Sequence, residues 1–147
     1  ASVRAAYSAG RYERAMRSGM PYMIYRSMRD ARVRPTHQKL DGVVRAKQDP
    51  WWNTHHPPLG WRCRCKAYPI DDAGLARLRD AGVDVQTTPP REATVAYRDR
   101  ITGEVRRLPE SVEPGWGYNP REQGKHLGRM LENRIRLALK KETEGVE

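Results

Sequence analysis

Two cysteines and three histidines fall inside one stretch with little periodicity. Cys63 and Cys65 sit in Gly-Trp-Arg-Cys-Arg-Cys-Lys, and they are the chain's only cysteines. His37, His55 and His56 precede them. With one residue between the cysteines, a disulfide would close a very small, strained ring. The flanking Arg62, Arg64 and Lys66 favour thiolate over thiol. Thiolate and imidazole together are what a zinc ion takes, four of them closing a tetrahedral site. The expected ligand set is His37, His55 (or its neighbour His56), Cys63 and Cys65. Such a site would fasten a loop with few core residues, because metal binding becomes folding energy. Two other readings stay open. His55-His56-Pro57-Pro58 can form a rigid surface turn beside two small buried cysteines, or a cysteine and a histidine can pair as nucleophile and base. The single-residue spacing differs from the two-residue gap of common zinc motifs.

The rest of the loop carries cations and tryptophans. Arg29, Arg32, Arg34, Arg62 and Arg64 form a candidate surface for nucleic acid or an acidic partner, with Asp30 expected to hold one of them. Arg forks bidentately onto phosphate and carboxylate alike. Trp51 and Trp52 are expected to pin the loop against the core rather than to stack on bases. Three tryptophans between residues 51 and 61 argue against disorder there.

The elements that must position these residues are modest. The chain has 147 residues, enough for one domain, but only 37% are hydrophobic and there is no Phe. Residues 2–18 read as a helix with Val3, Ala6, Tyr7 and Gly10 at helical spacing. Residues 22–28 read as a strand with Ile24 inward and Tyr22 and Tyr25 half-buried. Residues 66–70 suggest another strand. Asp71 or Asp72 then caps a helix holding Leu75 and Leu78 that stops at Gly82. Val83 and Val85 suggest a further strand, and residues 94–98 and 104–108 a hairpin. Asn119, Pro120 and Glu122 form a helix-start pattern. The stripe Leu127, Met130, Leu131, Ile135 then runs to about residue 142, with Lys125, Arg129, Arg136 and Lys140 on the basic face. The expected fold class is α+β: a leading helix, a small mixed or antiparallel sheet, a long Cys/His-containing loop and a terminal helix.

Against 18 acidic residues stand 28 Lys and Arg, a net charge of +10. That balance favours polyanions, either nucleic acid or an acidic protein surface. No apolar run approaches the roughly 20 residues that span a membrane, and no signal-peptide pattern opens the chain. A soluble protein made in a cytoplasm is expected. The start at Ala1, without Met, suggests a piece of something longer.

Several ordered motifs carry a family resemblance. Asp30-Ala31-Arg32-Val33-Arg34-Pro35-Thr36-His37 comes first, then Leu40-Asp41-Gly42, then Asp49-Pro50-Trp51-Trp52. Pro57-Pro58-Leu59-Gly60-Trp61-Arg62-Cys63-Arg64-Cys65 follows. Together they resemble the phage Mu F-like domain, in that family's order and similar spacing. Arg4 to Arg11 is similar to the helix preceding these motifs, and Val112 to Pro120 to a segment that often follows them. The resemblance implies residues 1–120 as the Mu F-like domain and 121–147 as a basic helix that packs on it or projects from it. It also implies a minor virion protein of a tailed phage or prophage, made in the bacterial host. Such a protein acts in head morphogenesis through portal or capsid proteins, and through packaged DNA in some relatives, with no membrane and no small-molecule substrate. The rival readings are an ADP-ribosyltransferase-like toxin or thiol-dependent hydrolase, and a zinc-stabilised nucleic-acid-binding module.

Overall fold

The computed structural model describes residues 3–99, 103–119 and 122–144. The elements are α1 (Val3–Arg17), β1 (Tyr22–Arg26), α2 (Pro35–Gln38), β2 (Val44–Ala46), α3 (Trp52–His55), β3 (Lys66–Ile70), α4 (Asp72–Asp80), β4 (Thr94–Arg98), β5 (Val105–Pro109) and α5 (Gln123–Glu144). The class is the expected α+β, and both sheets are antiparallel.

β1 is the middle strand of the order β2-β1-β3. Ile24 pairs with Val44 on one side and Tyr68 on the other. Middle position explains why Met23, Ile24 and Tyr25 are all buried, where one inward residue and two half-buried tyrosines were expected. Side chains alternate across a strand, so each face feeds its own core. Met23 and Tyr25 join Leu40, Val43, Trp52 and Leu59 in the main core. Ile24 joins Val44 and Leu75 in a smaller one beneath α4. Pro69 lies opposite Met23 on the edge strand β3. Proline cannot donate to a ladder, and an edge position is where a sheet tolerates it.

The leading helix forms as expected, but its buried face is different. Ala5, Ser8, Tyr12 and Ala15 face inward. Val3 and Tyr7 are 88% and 59% exposed. Small residues on the buried stripe let the helix approach β3 and the histidine-bearing loop closely, so apolarity alone misplaced the face.

The segment expected to be a long loop contains two one-turn helices and β2. It returns beside β1 at Gly42, whose N–H donates to the Tyr25 carbonyl and whose carbonyl accepts from the Gln86 N–H. Gly42 has φ +83°, and a Cβ there would lie 1.9 Å from the Asp84 carbonyl oxygen. Gly42→Ala is therefore expected to cost ~3 kcal/mol, combining left-handed strain with a backbone clash. A chemical-denaturation midpoint unchanged from the native protein would contradict this. Residues 83–86 form an isolated bridge from Gln86 to Val43 instead of the expected strand.

α4 begins at Asp71, whose side chain accepts from the Gly74 N–H at 2.7 Å, and Gly82 follows it with φ +76°. The β4–β5 hairpin forms at the expected place, its strands largely exposed. Pro120 of the helix-start pattern lies outside the described residues, as do the side chains of Lys125, Leu127, Arg129 and Met130. Along α5, Leu131, Ile135 and Leu139 are 60%, 51% and 58% exposed.

Candidate metal centre

α2, one turn begun by Pro35, carries His37 into the main core at 2% exposure. Cys63 and Cys65 approach it from the segment entering β3. The His37 Nδ1 lies 3.7 Å from Cys63 Sγ and 3.8 Å from Cys65 Sγ. All three ligand atoms lie within 4.8 Å of one another.

The ring is oriented by its other nitrogen. His37 Nε2 lies 2.9 Å from the Ser111 carbonyl oxygen. A carbonyl only accepts, so Nε2 carries the proton and the Nδ1 lone pair faces the thiols. A metal-ligating histidine is commonly fixed in this way by a backbone carbonyl. A hydrogen bond from Cys65, opposed by burial and helped by His37, holds Cys63 well below the usual thiol range. The same hydrogen bond, with burial, pushes Cys65 up. Beside them lies the fully buried Tyr25 hydroxyl, with the Cys65 thiol as its polar neighbour. Burial, then the charges of Cys65 and Cys63, keep it protonated. Two thiols and a pre-oriented imidazole lone pair make a donor set that fits a soft divalent ion such as zinc.

His55 is not brought to this cluster. Its Nε2 lies 2.9 Å from Glu92 Oε1 and its Nδ1 3.2 Å from the Trp51 carbonyl oxygen. Both nitrogens face oxygen acceptors, which leaves no lone pair aimed at the thiols, and the ring stacks on Trp51 at 4.4 Å. It is tied to His37 indirectly. The Ser111 N–H donates to Glu92 Oε2 at 3.2 Å, so a chain of hydrogen bonds runs from His37 through Ser111 and Glu92 to His55. Burial pushes the Glu92 carboxyl up, but hydrogen bonds from His55 and Ser111 outweigh it and hold it below its ordinary range. Glu92, Ser111 and Tyr25 were missed in the sequence, because none lies in a motif with ligand-like spacing.

His56 is buried apart from these. Its Nδ1 lies 3.0 Å from the Pro57 carbonyl oxygen, which also accepts from the Ser8 hydroxyl. Burial lowers its pKa to about 4. The folded form therefore resists protonation while the unfolded chain, near 6.5, does not. Stability is full above pH ~6.5 and falls as pH drops toward 4, by up to about 3 kcal/mol in total. Glu92, also depressed, adds its loss only at lower pH. His56→Gln should flatten the pH 7 to 4.5 segment of a denaturation-midpoint series. An unchanged slope would contradict the assignment.

The arginines mostly cross-tie the loop. Arg64 forks onto Asp30 with contacts of 2.7 and 2.6 Å. Arg26 and Arg29 both approach Asp41. Asp41 also accepts from the Ser27 N–H at 2.7 Å. Arg34 pairs with Glu113 and donates to the Trp61 carbonyl. Arg32 and Arg62 are exposed. Arg29 and Arg62 have φ of 52° and 58°, a conformation costly for side-chain-bearing residues, and they immediately precede Asp30 and Cys63 respectively. Trp52 is fully buried and its indole N–H donates to the Ala46 carbonyl at 3.1 Å.

These ties define a small α+β scaffold module in which an irregular segment is stapled to a three-stranded sheet. Residues 1–68 are phage Mu F-like: they match the family model described as Phage Mu protein F like protein. It is 34% identical to the putative capsid assembly protein F of Escherichia phage Mu, over 81% of this chain and 30% of that protein. It is 31% identical to the Mu-like prophage FluMu F protein of Haemophilus influenzae, over 78% of this chain and 30% of that protein. An uncharacterized protein of Methanocaldococcus jannaschii is 41% identical over 40% of this chain and 9% of its own length. The chain thus spans about 30% of the length of the two phage relatives. No solved structure matches it. No helix among the described residues is long and apolar enough to cross a membrane.

Proposed function

We propose that this chain is a metal-pinned module of a minor head protein of a tailed phage or prophage, acting in head morphogenesis and carried in the virion. The observation that carries this is the similarity, over 81% of the chain, to a protein whose name is putative capsid assembly protein F. In this reading zinc is held by His37, Cys63 and Cys65. The fourth position is left to a water, since the nearby Tyr25 hydroxyl stays protonated. The ion adds to the buried Leu40, Val43, Trp52 and Leu59 in fixing residues 30–65 in one conformation for contact with portal or capsid proteins. His55 supports the site through Glu92 and Ser111 and does not ligate. Arg29, Arg34 and Arg64 hold the loop through carboxylates, which leaves Arg32 and Arg62 as the predicted loop cations best placed to meet a partner or packaged DNA.

The test is genetic and structural. Induction of a prophage lacking this segment should give few complete heads by electron microscopy. The protein should also be found in purified wild-type virions by mass spectrometry. Normal head numbers without the segment would overturn the proposal. DNA contact is tested separately by titrating the purified protein with duplex DNA at increasing salt, where phosphate binding weakens steeply. Absence of binding at low salt would remove DNA from the reading.

A further inference from the structure

The exposed apolar side chains of α1 border a cavity. A cleft of about 410 Å³ lies between α1, the start of β3 and the Pro57-Pro58 turn. Tyr7, Met28, Pro58 and Ala67 contribute apolar surface to it. Tyr7 and Met28 remain 59% and 46% exposed, and Val3 at its rim 88%. Four cations, Arg4, Arg11, Arg64 and Lys66, line the same cleft, and among the described residues no carboxylate does.

The charge is largely uncompensated. Arg4 donates to the Cys63 carbonyl at 3.2 Å and Arg11 to the Ala67 carbonyl at 3.3 Å. Both spend hydrogen bonds on neutral oxygens and keep their charge unmatched. Arg64 differs, being held by Asp30. A second hollow of about 310 Å³ shares Val3, Arg4, Pro58 and Cys63 with the first and extends it toward Trp61 and Arg62, again without a carboxylate.

We propose that this cleft docks an acidic segment of another protein that carries aliphatic anchor residues. It rests on the assembly reading for the existence of a protein partner. Charge complementarity sets the sign: an acidic strand meets Arg4, Arg11 and Lys66, for which no carboxylate partner is found among the described residues. The apolar floor sets the anchors, since aliphatic side chains gain most by leaving water there. Two other modes fit less well. Strand addition at β3 is blocked, because Arg11 already occupies the Ala67 carbonyl and Pro69 has no N–H to offer. Single-stranded nucleic acid needs open aromatic faces. Here Arg11 already lies 5.8 Å from the Tyr7 ring and 4.4 Å from the Tyr68 ring.

The test uses the full chain, zinc-loaded and ¹⁵N-labelled, titrated with a short synthetic peptide alternating Asp and Leu. Saturable amide shifts are expected at Tyr7, Met28 and Ala67, weakening at high salt. Lys66→Glu and, independently, Met28→Glu should each weaken binding by about tenfold. Both positions are exposed, so the fold should persist, which the unperturbed spectrum elsewhere checks. The docking proposal is overturned if the peptide leaves these amides unmoved or if a Lys-for-Asp version binds equally well. It is also overturned if a thymidine oligonucleotide shifts the same amides more tightly than the peptide does. Head assembly is scored separately in induced cells, so loss of docking with normal incorporation into virions would leave the assembly reading standing.

Discussion

Replacing Cys63 and Cys65 together by serine is expected to abolish stoichiometric zinc and to lower unfolding free energy by roughly 3–5 kcal/mol, a fraction of what structural zinc supplies in domains without a core. Serine nearly preserves volume, so little of the loss comes from packing. What disappears is the soft donor pair facing the His37 lone pair. His37→Ala should remove the ion too, but it also strands the buried Ser111 carbonyl. Its stability loss should therefore remain when both proteins are compared after chelation. His55→Ala provides the contrast. Because its nitrogens face Glu92 and the Trp51 carbonyl, zinc stoichiometry should survive that change even though stability falls. Elemental analysis with denaturation in and out of chelator separates the cases. A serine variant as stable as the chelated native protein, and no less stable than the untreated one, would contradict the pinning role.

Trp52→Ala should be the most damaging single substitution in the core, costing about 3–5 kcal/mol. The side chain is fully buried. It makes edge contacts with Trp51 at 4.8 Å and His56 at 6.0 Å. Its loss also leaves the Ala46 carbonyl without the indole N–H. Trp52→Phe should cost less, since most of the ring volume is kept while the hydrogen bond is lost. Circular dichroism is the suitable readout, because the fluorophore itself is removed. A cost below about 1 kcal/mol would place Trp52 at a site that collapses easily and would weaken the view that the two tryptophans nail the loop to the core.

Local signals carried a long way in this chain. Asp71 and Gly82 bracket α4 as caps should, and the hairpin and β3 stand where alternating residues and turn chemistry put them. Three of the four expected ligands were legible: His37, Cys63 and Cys65 do converge. The fourth was not legible. His55 and His56 are neighbours in the chain, yet Glu92 draws one ring away and Ser8 and Pro57 enclose the other. Glu92 and Ser8 lie 37 and 48 residues from the histidines they meet, and no periodicity reports such encounters. The same holds for the α1 face, where buried Ala5, Ser8 and Ala15 outweigh the more apolar Val3 and Tyr7. It holds again for the arginines: five were read as one surface, but Asp30, Asp41 and Glu113 divert three of them into the loop.

Amide hydrogen exchange of the zinc-loaded chain, followed residue by residue across 30–65, tests most directly whether this segment is a cross-tied scaffold. Exchange there should be slowed nearly as much as in β1, and chelation should release the stretches around His37 and Cys63 while β1 and its partner β2 stay protected. Fast exchange throughout the segment in the presence of zinc, beside a protected β1, would mean that the loop is not held and that the histidine and cysteines serve some other end.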